Sequence, residues 1–335
     1  LKLLLLRLSA IGDVIHTLPA AAALRAAGHE LSWLVEPAAR SLICEKLARV
    51  VSVPSARHFR PAAAREAVRT LRASRFDVAL DFQGLWKSAA WARLSGARRK
   101  VGYDRASRRE AASALLLGER MALPEGIAHV IDKNLALLRT VGVEAVGQRS
   151  FPLPAGDVPR VEQGLAELGL LDQPFALLSP GGGWESKTWP AARFGGLADR
   201  LRELGLRSLV AWGPGEETLA DSVVFASRGA GVRCFPSSLL DFAELARRAA
   251  VVVAADTGPL HLACAVGAPV VGLYGPTDPA RNGPFSPKDE VVRRVPPCAP
   301  CHRRHCFRHS GVMAQIRVED VAAAVARRRE AALEG

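Results

Sequence analysis

The stretches in which charged residues, glycines and turn formers fall together are those suited to holding a phosphate. Asp256-Thr257-Gly258 closes the apolar run Val251–Ala255 and precedes Pro259, which predicts a helix over Leu260–Val266 stopped by Gly267. The free N–H groups at such a helix start face an anion, and the helix dipole favours it by roughly 0.3–1 kcal/mol. Ser179 to Pro190 carries three successive glycines, Gly181 to Gly183, which let backbone approach a ligand, and Lys187, a point charge for a phosphate. A lysine in a loop is otherwise merely solvated. Gly213-Pro214-Gly215-Glu216-Glu217 offers a carboxylate to a sugar hydroxyl, or else two acids in the first turn of a helix. Gly275 to Asp278 forms a further polar loop. In Ser9-Ala10-Ile11-Gly12-Asp13 the aspartate is either a helix cap or a carboxylate at the mouth of a ligand cleft. Gly84, Lys87 and Ser88, in Asp81 to Ser88, miss the GxxxxGK[ST] spacing, and Gly12 stands alone where a dinucleotide turn needs three glycines. The first rejects a P-loop ATPase, and the second counts against a nicotinamide enzyme.

These loops need a scaffold that brings them to one side. Strands are predicted at Lys2–Arg7, Glu30–Val35, Arg49–Val53, Phe76–Asp81 and Lys100–Tyr103, separated by Ala-rich helices. A second alternating series has a helix over Val161–Leu168 and strands at Phe175–Leu178, Arg207–Trp212, Val251–Ala255 and Ala268–Leu273. This is a doubly wound α/β pattern, in which ligands sit beyond the carboxyl ends of parallel strands. Between the series lies Arg149–Arg160, with three prolines and no hydrophobic period, read as a linker. The expected domains are 1–150 and 161–315, with a final helix in 316–335.

The 335 residues leave room for two ordinary domains, and 49% hydrophobic with 23% charged residues is a globular composition. The net charge of +12, from 45 basic and 33 acidic residues, suits anionic partners or reflects an Arg-rich proteome. His58, Arg60 and Arg65, then Arg98, Arg99, Lys100, Arg105, Arg108 and Arg109, concentrate that charge in the first half, as a solvated face or an anion site. A nucleic-acid binder would interleave aromatics with its basic residues, and two Tyr with no recognition module argue against one. No apolar run is long enough to span a bilayer, and Leu3–Leu6 is too short for a signal-peptide core, so a cytoplasmic location is expected.

Taken together, LLLRLSAIGDVIHTLPA at 4–20, DFQGLWKSA at 81–89, SKTWP at 186–190, DTGPLHLA at 256–263 and LYGPTDP at 273–279 resemble the lipopolysaccharide heptosyltransferases of glycosyltransferase family nine. The first two segments resemble type I members more than type II. The resemblance runs nearly end to end. It implies the GT-B architecture, two Rossmann-like domains facing across a cleft, with acceptor on the first domain and nucleotide-sugar on the second. It further implies inverting transfer of heptose from ADP-L-glycero-D-manno-heptose to the Kdo of lipid A. Asp13 matches the catalytic base. Lys187, Thr188, Glu216 (or Glu217), Asp256, Thr257, Gly258 and His261 match donor-binding positions. Ser9, Gly12, Arg60, Gln83 and Arg109 are assigned to the acceptor, the two arginines because guanidinium suits the acidic groups of Kdo and lipid A. The final helix is expected to pack back on the first domain. No Asp-x-Asp pair offers a metal site beside the diphosphate, so neither metal nor cofactor is expected. A lipid-linked acceptor adds transient contact with the cytoplasmic face of the inner membrane.

Cys298-Ala299-Pro300-Cys301, followed by Cys306 with His302, His305 and His309 nearby, departs from the type I pattern and resembles a tail found elsewhere in the family. Zinc, free thiols or a disulfide all remain open there. So do transfer of another nucleotide-activated sugar, type II chemistry, and a non-enzymatic ADP binder.

Overall fold

The computed structural model describes residues 1–54, 60–301, 305 and 311–333; His58, His302, Cys306 and His309 lie outside them. The chain divides into two units, Leu1–Pro154 and Ala155–Gly335.

In the first unit the strands are β1 (Lys2–Leu6), β2 (Glu30–Val35), β3 (Arg49–Ser52), β4 (Val78–Asp81), β5 (Arg99–Tyr103) and β6 (Glu119–Met121). They form one sheet in the order β3-β2-β1-β4-β5-β6, with every neighbouring pair parallel. The helices are α1 (Ile11–Ile15), α2 (Leu18–Ala26), α3 (Pro61–Ala73), α4 (Trp86–Leu94) and α5 (Val130–Leu137). Leu3 to Leu6 are fully buried, as expected of a central parallel strand covered on both faces. α3 starts at Pro61, where the missing N–H costs no helical bond, and turns Ala67 and Leu71 to the core.

The second unit contains β7 (Phe175–Ser179), β8 (Arg207–Val210), β9 (Gly231–Arg233), β10 (Val251–Ala255), β11 (Val270–Tyr274) and β12 (Glu290–Arg293), all parallel, in the order β12-β11-β10-β7-β8-β9. Its helices are α6 (Val158–Glu167), α7 (Ala191–Glu203), α8 (Glu217–Ala226), α9 (Leu239–Arg248), α10 (Gly258–Ala265), α11 (Pro279–Asn282) and α12 (Val318–Leu333). Counted within each unit, both sheets follow the order 3-2-1-4-5-6 of a dinucleotide-binding fold. Chain direction across the sheet reverses between the first and fourth strands of each, which is where such sheets bind ligands. That point lies between β1 and β4 in one unit and between β7 and β10 in the other.

Three expectations change. The edge strands β6, β9 and β12 were not anticipated; they are short and carry charged residues at their ends, the composition that protects sheet edges and hides them from a hydrophobic-pattern reading. The linker is shorter than expected, because Asp157 caps α6 by accepting from the Arg160 N–H at 3.2 Å and Pro159 sits in the first turn. Finally, α12 has packing partners within the second unit. Val318, Val321, Ala324 and Val325 join Trp189, Phe194 and Ile316 in the second unit's core. Arg328 meets Asp289 at 2.8 Å with both side chains buried. An amphipathic helix fixes that one face is buried, not which surface buries it.

Candidate functional site

The switch point of the second unit collects the loops after β7, β8 and β10. The register sets Ala254 beside Ser179, so both chains leave the sheet at one level. Asp256, one residue past β10, is 3% exposed and accepts from three directions. Lys187 Nζ lies 2.7 Å from Oδ2, and Asn282 Nδ2 and His261 Nε2 lie 2.6 and 3.1 Å from Oδ1. Lys187 also reaches the Asp256 carbonyl at 3.1 Å and stands 4.7 Å from the Trp184 ring centre. Burial by itself raises the Asp256 pKa; the hydrogen bond and charge of His261, together with Lys187, overcome it and hold the carboxyl well below the ordinary range.

That depressed pKa has a pH signature. The unfolded carboxyl takes up its proton near pH 3.9, before the folded one. Its stabilisation is therefore complete above that pH and fades as pH falls toward the folded value. Asp256→Asn removes the titration. The stability difference between wild type and variant, read from urea midpoints, is expected to hold steady from neutral pH to about 5 and to narrow below about 4. An equal gap at pH 7 and 3.5 would count against the ion cluster.

The start of α10 is left open by its own side chains. Thr257 occupies the N-cap, yet its hydroxyl donates to the Ala255 carbonyl at 3.2 Å and makes no capping bond. The first-turn N–H groups are thus open to an external acceptor, with Gly258 as the first helical residue. The glycine loop lies against this start: a Cβ on Gly182 would come within 3.0 Å of Thr257 Cγ2. Glu216 Oε2 accepts from the Gly213 N–H at 2.9 Å, and a Cβ on Gly181 would sit 2.0 Å from the same oxygen. Gly181 is therefore needed to seat that carboxylate. Glu217, by contrast, begins α8 and is exposed. Thr188 donates to the Trp184 carbonyl at 3.2 Å and braces the turn carrying Lys187. Asn282 and Trp184 were missed; Asn282 follows the Gly275–Asp278 loop within a few residues, and that proximity was the available signal.

In the first unit, the loops after β1 and β4 meet at the corresponding place. Gln83 Nε2 donates to the Ser9 carbonyl at 3.2 Å and its Oε1 accepts from the Leu8 N–H at 2.8 Å. Lys87 Nζ lies 2.8 Å from both Ser9 Oγ and Glu36 Oε1. Gly12 is buried in α1 and its carbonyl accepts from the His16 N–H. Asp13, on the same turn, keeps a 37% exposed side chain. Its Oδ2 is 3.4 Å from the Ala10 N–H and its Oδ1 is 3.5 Å from Arg7 Nη2. Both contacts are long, so the carboxylate is neither a tight cap nor a tight ion pair and retains accepting capacity. Buried Arg7 fixes the turn through the carbonyls of Asp13 and Phe82 at 3.2 and 2.7 Å.

Below this loop Arg108 Nη2 meets Asp81 Oδ2 at 2.6 Å with both side chains fully buried. Asp81 Oδ1 accepts from the N–H groups of Gln83 and Gly84 at 3.1 and 3.2 Å. Arg108, expected in a solvated face or an anion site, is an internal anchor for the β4 loop. Ser9, Gly12, Asp13 and Gln83 are brought together. Arg60, at the N-cap of α3, and Arg109, beside Arg108, are both exposed and stand outside this hydrogen-bonded group.

Among the described residues no three His, Cys, Asp or Glu side chains gather as a metal site. Cys298 is exposed and Cys301 half-buried, with Cys306 outside the described residues.

The comparisons agree on one family. The model of glycosyltransferase family 9 (heptosyltransferase) matches residues 64–310. Lipopolysaccharide heptosyltransferase 1 of Pseudomonas aeruginosa is 30% identical over 319 residues, 91% of this chain and 87% of the relative. The Escherichia coli K12 protein of the same name is 30% identical over 309 residues, 88% and 94% of the two chains. Among solved structures, E. coli heptosyltransferase WaaC with ADP-2-deoxy-2-fluoro heptose superposes with a TM-score of 0.71 at 26% identity, covering 96% of this chain and 98% of that one. E. coli ADP-heptose lps heptosyltransferase II, at 18% identity, shares the fold with a TM-score of 0.76, covering 99% and 100%.

Proposed function

Since the chain belongs to glycosyltransferase family 9 and is a heptosyltransferase of GT-B fold, we propose that it transfers L-glycero-D-manno-heptose from ADP-heptose to the Kdo of a lipid A acceptor with inversion at the anomeric carbon. The observation that carries the reading is the cluster at the second switch point: Lys187, held on buried Asp256 beside His261, next to the open N–H groups of α10.

As the bond from the anomeric carbon to the diphosphate oxygen breaks, negative charge grows on the leaving ADP. Lys187 and the α10 N–H groups are fixed dipoles and charge aimed at such an anion, and they require no reorganisation when it forms. Asp13 takes the proton of the attacking acceptor hydroxyl, whose oxygen bonds to the anomeric carbon on the face opposite ADP. Glu216 holds a donor hydroxyl, and Ser9 and Gln83 belong to the acceptor side.

Positive charge from Lys187 and helix dipoles replaces a divalent ion in this scheme. Transfer from ADP-heptose to Kdo₂-lipid A is accordingly expected to proceed undiminished in EDTA. Product formation assayed with and without chelator tests both parts; absence of product while ADP still binds would redirect the search to other sugars and acceptors. Gly181→Ala tests the donor loop separately. Its methyl group collides with Glu216, a misfit worth about 1–3 kcal/mol, so ADP-heptose affinity is expected to fall roughly tenfold or more. Unchanged affinity by calorimetry would remove Glu216 from the donor site.

A further inference from the structure

Between α3 and α4 the first unit contains a concavity of about 740 Å³ that the transfer chemistry does not use. Its walls are apolar: Val68 from α3, Ala90, Trp91 and Leu94 from α4, and Leu8 from the end of β1. The volume is that of a small-molecule pocket, and an apolar hollow left open to water marks a binding surface more often than a packing fault. Charge is confined to a few of the lining residues. Arg65, Arg69 and Lys87 are cationic, and the single carboxylate, Glu36, is engaged by Lys87 at 2.8 Å. Arg69 holds Glu66 at 3.1 Å on the surface of α3, and Arg65 is exposed on the same helix.

We infer that this pocket receives an acyl chain of the lipid-linked acceptor, with Arg65, Arg69 and Lys87 meeting the acidic groups at its head. Charge complementarity selects the occupant. A nucleotide or sugar would need hydrogen-bonding partners that these walls lack, whereas an anionic amphiphile needs an apolar cavity beside cations. Continuity with the acceptor loop selects the source, because Lys87, which lines the pocket, is bonded to Ser9 Oγ in the loop that carries Asp13. The inference rests on the heptosyltransferase reading with a lipid A acceptor, and names where that acceptor's apolar part is held.

Calorimetric titration of the full-length protein with butyl, hexyl and octyl phosphate, each as monomer, tests the pocket without enzymology. A buried methylene tightens binding by roughly fourfold when fully transferred from water. Octyl phosphate is therefore expected to bind at least about tenfold more tightly than butyl phosphate, with inorganic phosphate weaker still. Ala90→Trp fills the pocket from the α4 side and Ala64→Trp from the α3 side; each is expected to flatten the series, so the test survives if one variant fails to fold. In transfer assays Ala90→Trp is expected to raise the KM for acylated acceptor about tenfold and to leave the KM for the de-acylated acceptor unchanged. A flat alkyl series in the wild type, or a series that both variants leave intact, overturns the inference. Wild type that transfers to neither acceptor fails the functional reading instead.

Discussion

Asp13→Ala is expected to lower heptose transfer by roughly 10²–10⁴-fold, the scale of a lost general base, with ADP affinity unchanged. The cluster of Lys187, Asp256 and His261 lies wholly in the second unit, whereas Asp13 lies in the first, so the two readouts are expected to separate. Structural damage is expected to be slight. Buried Arg7 loses a contact of 3.5 Å but keeps the carbonyls of Phe82 and residue 13, and the carboxylate was already substantially exposed. Asp13→Asn sharpens the experiment, because it preserves size and one accepting oxygen while removing the charge and the proton acceptor. Rates and ADP binding measured on both variants decide the matter: a fall below threefold would take the base role away from Asp13, and lost ADP binding would show that the substitution acts through structure.

Arg108→Met is expected to destabilise the first unit by about 3–5 kcal/mol, the usual cost of stranding one partner of a buried ion pair. Asp81 would be left fully buried without its cation, although the N–H groups of Gln83 and Gly84 would still reach it. Gly102 shows how closely the guanidinium is fitted, since a Cβ there would lie 2.9 Å from Arg108 Nη1. Adding Asp81→Asn removes the stranded charge and should restore much of the loss. Urea unfolding of the single and double variants, following the first unit's transition, gives the comparison. A single-variant loss below about 1 kcal/mol, the scale of an exposed pair, would show that the pair does not anchor the β4 loop.

What the sequence made legible follows from how local each signal is. Val251–Ala255 and Leu3–Leu6 are continuous apolar runs closed by turn residues, and such strands can be read without knowing their neighbours. The same holds for Pro259 at a helix start. The pairs that set the site are different. Asp256 finds Lys187 at a separation of 69 residues and Asn282 at 26, and Asp81 finds Arg108 at 27. No periodicity links such residues, and a single Arg or Asn looks the same whether solvated or buried. Arg108 thus reads as part of a basic group, solvated or anion-binding, and Asn282 carries no signal of its own. Resemblance to a family supplied Lys187, Asp256 and His261 together, but not the inward role of Asp256, which shows only when burial and three donors are seen at once.

The placement of α12 bears on how the protein comes off the ribosome. Every strand and helix of the first unit has been synthesised once Pro154 is added, so that unit can acquire its native core during translation. The second unit lacks Val318, Val321, Ala324 and Val325 until some 150 residues after β7 begins, and until then the surface around Trp189 and Phe194 has no cover. Nascent second units are thus obliged to wait with an apolar face exposed, and chaperone dependence should concentrate in that half of the chain.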